Sequence, residues 1–85
     1  GKALYEVERM TLAEALALSG RKDESQAALW VAYQWSANRE KSLAFYTDRA
    51  EKERASRPAL ADMYAAVLGW VSEGRKPRLV LAAAG

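Results

Sequence analysis

Apolar positions recur along most of the chain at the three- and four-residue spacing of an amphipathic helix. The clearest run lies between Pro58 and Glu73 and follows one helix face: Leu60, Met63, Tyr64, Val67, Leu68 and Val71. Turn signals separate this run from three others. The pattern predicts one all-α domain over residues 1–85, a small four-helix bundle-like fold with short turns and an irregular C-terminal tail. The predicted segments are helices at about 3–18, 24–37, 39–55 and 58–73, and a tail at 75–85.

Local signals indicate where these helices begin and end. Gly20 and Gly74 each follow an apolar run, at the position where glycine commonly ends a helix. Asn38 is suited to cap the third helix, and Pro58 fits the first turn of the fourth. Two capping-box spacings add candidate helix starts: Thr11 with Glu14, and Asp23 with Gln26.

Two segments leave more than one conformation open. Residues 3–18 form either one helix or an extended piece followed by a helix that begins at Leu12. A single helix is favoured because Leu4, Val7 and Leu18 then share one face through Thr11. The tail, RKPRLVLAAAG, fits a short strand, a helical turn or an extended arm.

The second predicted helix is apolar in almost every direction. At about 100° per residue its aromatic side chains are spread around the axis, and Gln34 is the main polar interruption. Three neighbouring helices cover about two-thirds to three-quarters of a central helix, so part of this surface is expected to stay free. Two interpretations stay open: Trp30 and Trp35 both lie in the core, or one of them anchors an interface, where tryptophan is favoured.

Small residues recur every four positions along the fourth helix, at Ala61, Ala65 and Gly69. Glycine inside a helix costs about 0.8–1 kcal/mol relative to alanine, which suggests that a neighbour needs the space at Gly69. That neighbour is either an aromatic of the same chain or a second copy in a dimer. These patterns predict a protein-protein interaction or regulatory module that binds a protein partner or forms a homodimer. The predicted interface residues are Trp30, Tyr33, Trp35, Gly69 and Trp70.

Basic residues suggest an alternative function. The net charge of +2 is too small to imply a polyanionic partner by itself. If the first turn and the tail meet at one end of the bundle, their basic residues form a patch that could neutralise several phosphates. No predicted helix has the exposed basic and amide side chains of a recognition helix. The alternative is a small nucleic-acid-binding regulator that uses Arg21, Lys22, Arg75, Lys76 and Arg78.

The residue types that are missing narrow the chemistry. Without histidine or cysteine the chain lacks the usual general base and the usual zinc and transition-metal ligands, and no phosphate-loop or hydrolase motif occurs. We therefore expect no enzyme activity, no metal and no cofactor. The longest apolar uncharged run, residues 25–38, is too short to span a bilayer, and no signal-peptide pattern is present. A cytoplasmic location without membrane association is expected, although the ending LAAAG would also suit a piece of a larger protein.

Overall fold

A computed structural model describes residues 2–75. It contains α1 (Lys2–Leu18), α2 (Lys22–Gln34), α3 (Arg39–Glu53) and α4 (Pro58–Glu73), and no strand within the described range. The predicted all-α, four-helix fold is confirmed, including a single helix for the first segment. The predicted strand, turn or arm in the tail falls on residues 76–85, outside the described part of the chain.

Glycine ends two of the helices, as predicted. Gly20 and Gly74 adopt positive φ angles of 81° and 70°, a backbone region that side chains disfavour. At the end of α1 this geometry lets the backbone N–H of Arg21 donate to the carbonyl oxygen of Leu16 at 3.0 Å. The chain therefore leaves α1 within three residues and starts α2 close beside it.

The predicted starts of α3 and α4 are confirmed as well. The side chain of Asn38 accepts a hydrogen bond from the backbone N–H of Lys41 at 3.1 Å. Pro58 is the first residue of α4, where its missing N–H removes no helical hydrogen bond. Both signals depend only on residues nearby in sequence, so they do not require the tertiary structure.

The two predicted capping boxes are wrong. Thr11 lies inside the continuous helix α1, where its hydroxyl donates to the carbonyl oxygen of Val7 at 3.0 Å. Helix α2 begins at Lys22, ahead of Asp23, and the residue in its N-cap position, Arg21, makes no side-chain capping bond. The tight turn at the end of α1 starts α2 two residues earlier than the spacing indicates.

The four helices form two antiparallel hairpins, α1 with α2 and α3 with α4. Helix α2 lies against α4 at the centre of the molecule, and α1 also contacts α4. Helices α1 and α3 diverge and leave an open groove between them. The central helix α2 is thus covered mainly by α1 and α4.

The core lies where the four helices meet. The ring of Tyr46 bridges two other tyrosines, with centroid distances of 6.3 Å to Tyr33 and 5.4 Å to Tyr64. Aliphatic side chains from α2 and α4 fill the remaining space. The largest fully buried side chains are Tyr46, Tyr64, Leu29, Leu60, Met63 and Val67.

Helix α1 turns two of its alanines inward and several of its larger aliphatic residues outward. Ala13 and Ala17 are buried, whereas Leu4, Val7 and Leu18 are 61%, 57% and 54% exposed. Small inward side chains allow α1 to approach α2 and α4 closely. The apolar face predicted from sequence therefore exists, but it points toward solvent.

Candidate functional site

The exposed apolar side of α1 is the first candidate surface. We define the α1 outer face as Leu4, Val7, Thr11, Ala15 and Leu18, all of which are exposed. None of these side chains is charged, although they span almost the whole helix. Single exposed leucines are ordinary on protein surfaces, but a row along one helix is typical of an interaction site.

A groove continues this surface toward α3. The α1–α3 groove has a volume of about 500 Å³, and its apolar walls include Val7, Met10 and Phe45. The side chain of Phe45 is 49% exposed. Because Val7 belongs to both features, the α1 outer face and the α1–α3 groove form one continuous surface.

One half of the groove floor is centred on Glu6 of α1. Its Oε2 accepts hydrogen bonds from the hydroxyl of Ser42 at 2.7 Å and from that of Tyr46 at 3.2 Å. Ser42 also shares a 2.6 Å hydrogen bond with the hydroxyl of Ser36. Burial, followed by the nearby Glu6 charge, raises the pKa of Tyr46, so this hydroxyl stays protonated and donates.

The other half of the floor is centred on Glu14. Its Oε2 accepts from Nη2 of Arg49 at 2.8 Å and from the hydroxyl of Tyr64 at 2.5 Å. Arg49 also reaches Glu53, whose pKa is lowered mainly by its hydrogen bond with Arg57. Burial is the main cause that raises the pKa of Tyr64. These bonds tie α1 to α3 and α4 beneath the apolar walls.

The tryptophans occupy three different environments. Trp35 follows the last residue of α2 and is 47% exposed, and its ring packs on Tyr5 with centroids 4.8 Å apart. Trp30 and Trp70 are half-buried and pack against the core. Tyr33, in contrast, is buried and contacts Tyr46. Of these predicted interface aromatics, Trp35 offers the most accessible ring.

Gly69 faces open space among the described residues. Apart from the two adjacent residues and the nearby backbone of the same helix, no heavy atom lies within 4 Å of the position that a Cβ would occupy there. Ala61 is buried and Ala65 is exposed, so the small-residue row passes from the core to the surface. No aromatic side chain of residues 2–75 therefore covers Gly69, and packing by a second copy stays an alternative that these residues do not test.

Replacing Gly69 with alanine is expected to stabilise the chain by about 0.5–1 kcal/mol, because it removes the backbone-entropy cost of glycine without a steric clash. Urea denaturation at a fixed protein concentration measures the change. Ala65→Gly, at an exposed site on the same helix, is the matched control and should destabilise by a similar amount. A loss of stability or of self-association in Gly69→Ala would instead show that a neighbour packs over this glycine.

The predicted basic patch is divided in the structure. Lys22, at the start of α2, lines a cavity with Asp62 from the first turns of α4. Arg75 follows the last turn of α4, roughly 20 Å further along that helix. Arg21 pairs with Glu24 at 2.6 Å. Lys76 and Arg78 lie outside the described residues.

The residues that sequence reasoning missed are those of the groove. Among them, Phe45 of α3 forms an apolar wall of the groove. Glu6 and Glu14 both accept hydrogen bonds from hydroxyls of other helices. Their spacing of eight residues places them near one side of α1, a signal that could have indicated a shared polar contact.

Comparisons with protein-family models, with curated proteins and with solved structures find no match for this chain. None of the helices found in residues 2–75 combines the length and the apolar character needed to cross a membrane. The same residues contain no group of three or more acidic side chains arranged to hold a metal ion. Functional inference therefore depends on the surface of the chain itself.

Proposed function

We propose that this protein is a small helical interaction module that associates with a second copy of itself through the α1 outer face and the α1–α3 groove. The observation that supports the proposal is the exposure of Leu4, Val7 and Leu18 in a single row. Complete burial of such a side chain is worth about 1.5–3 kcal/mol, and more than half of each one is still in contact with water.

The size of the surface fits a modest dimer. The exposed parts of Leu4, Val7, Leu18 and Phe45 together present roughly 400 Å² of mostly apolar area. A specific interface typically buries about 800 Å² on each partner, and neighbouring backbone and polar atoms make up the difference.

The α1 outer face also avoids the usual cost of burying charge. The α1 outer face contains no ionisable group, and Glu14 at its edge is already engaged by Arg49 and Tyr64. A partner that covers this face therefore does not have to strip water from an isolated charge. Such a surface favours association driven by apolar contact.

The interface predicted from sequence is only partly retained in this proposal. Trp35 is exposed and lies at the same end of the molecule as Tyr5 of α1, so it is suited to the rim of the contact. Tyr33 supports the core beneath. Trp30, Gly69 and Trp70 are not part of the α1 outer face, and their role in an interface stays a prediction.

Sedimentation velocity over concentrations from about 1 µM to about 1 mM tests the proposal. We expect a monomer at the low end and a dimer at the high end. Raising the salt concentration should leave the dimer intact, because apolar contacts are not screened. A monomer at every concentration would contradict self-association, and dissociation by salt would indicate a charged interface instead.

A further inference from the structure

The spacing of the residues on the α1 outer face is the same in both directions along the helix. Leu4, Val7, Thr11, Ala15 and Leu18 follow one another at intervals of 3, 4, 4 and 3 residues. Thr11 is the middle residue, and a leucine stands at each end. A surface with this symmetry can be matched to a second copy of itself that runs the opposite way.

We infer that two copies pair through antiparallel α1 helices, with a two-fold axis that passes beside Thr11; this inference rests on the self-association proposed above. In that arrangement Leu4 of one copy meets the partner's Leu18, and Val7 meets the partner's Ala15. Each contact occurs twice, since the two-fold axis repeats it. The contact is closed, so it produces a dimer and not a filament.

Side-chain size favours the antiparallel arrangement over a parallel one. Antiparallel pairing places the larger Val7 against the smaller Ala15 on both sides of the axis, which fills space evenly. Parallel pairing in register would oppose two alanines at position 15 and leave a gap there. Antiparallel helices also bring the positive end of each helix dipole beside the negative end of the other.

The α1–α3 groove supports the same geometry. A two-fold axis perpendicular to α1 leaves the grooves of both copies on one side of the helix pair. Phe45 lines the groove together with Thr11, so it lies close to the axis and extends the contact from α1 onto α3. Glu8 is exposed on the opposite edge of α1, where it stays in water.

Cysteine cross-linking tests the pairing, because the natural chain contains no cysteine. Thr11→Cys is expected to form a disulfide-linked dimer at least tenfold faster than Lys52→Cys, a control on an exposed part of α3. Leu4→Cys alone should not cross-link, because position 4 of one copy would lie roughly 21 Å from position 4 of the other. An equimolar mixture of Leu4→Cys and Leu18→Cys should cross-link.

The outcomes separate this inference from the proposed function. Efficient cross-linking of Leu4→Cys alone would show parallel pairing and overturn the inference, while self-association would stand. A dimer in sedimentation with Thr11→Cys no faster than Lys52→Cys would place the contact on another surface and also overturn it. A protein that stays monomeric at about 1 mM would remove both the inference and the proposed function.

Discussion

Replacing Val7 with aspartate is expected to weaken self-association about 100-fold, or about 2.7 kcal/mol, while the fold is retained. Val7 is more than half exposed in the single chain, so an aspartate there can remain hydrated. In the dimer the same carboxylate would lose its water to the apolar side chains of the partner, and this would happen twice. The substitution therefore has a large effect on the affinity of association and a small effect on the stability of the monomer.

Sedimentation equilibrium measures this change, and far-UV circular dichroism confirms that the helices persist. Ala65→Asp is the matched control because Ala65 is an exposed helical residue on α4, away from the α1 outer face. We expect Ala65→Asp to associate as the natural chain does. If Ala65→Asp dissociated the dimer and Val7→Asp did not, the interface would lie along the row that contains Gly69.

Replacing Leu29 with alanine is expected to lower the free energy of unfolding by about 2–5 kcal/mol. Leu29 is completely buried on α2, the central helix between α1 and α4. Truncation removes apolar contacts and leaves a cavity that surrounding helices fill only in part. Because a small domain is stable by only about 5 kcal/mol, this variant should be largely unfolded at physiological temperature.

Urea denaturation at a concentration where the chain is monomeric measures the loss. Leu4→Ala removes the same atoms from a side chain that is 61% exposed, and it should cost less than about 0.5 kcal/mol. Equal losses in the two variants would mean that α2 is not the centre of the core, or that α1 packs by its leucine face.

Local signals made the helices predictable. Each signal acts within a few residues of the helix end that it marks. The signals are glycines with positive φ at positions 20 and 74, the capping side chain of Asn38 and the proline at position 58. Periodicity identified the buried face of α4 for the same reason, since one face of that helix is uniformly apolar. The all-α architecture follows from these features.

The orientation of α1 could not be predicted from its own pattern. Leucine and valine would normally mark the inward face, but here Ala13 and Ala17 are buried. The choice depends on contacts with distant residues, namely the hydroxyls that reach Glu6 and Glu14 across 36 to 50 positions of sequence. Tertiary hydrogen bonds to Glu6 and Glu14 accompany this orientation, and such long-range contacts cannot be read from the local pattern.

The environment of the tryptophans was predictable only in part. The angular position calculated at about 100° per residue applies to Trp30, which lies within α2 and packs against the core. It does not apply to Trp35, because α2 ends at Gln34 rather than at residue 37. Past the helix end the backbone changes direction, and the indole reaches Tyr5 of α1 instead.

An NMR dilution series tests most directly whether the outer side of α1 is the surface that binds a second copy. Between about 1 mM and about 20 µM we expect the signals of Leu4, Val7, Thr11 and Leu18 to shift with concentration, together with those of Phe45. The signals of Leu60 and Val67 in the core should stay constant. Spectra that do not change on dilution, or shifts confined to Gly69 and Trp70, would contradict the proposed interface.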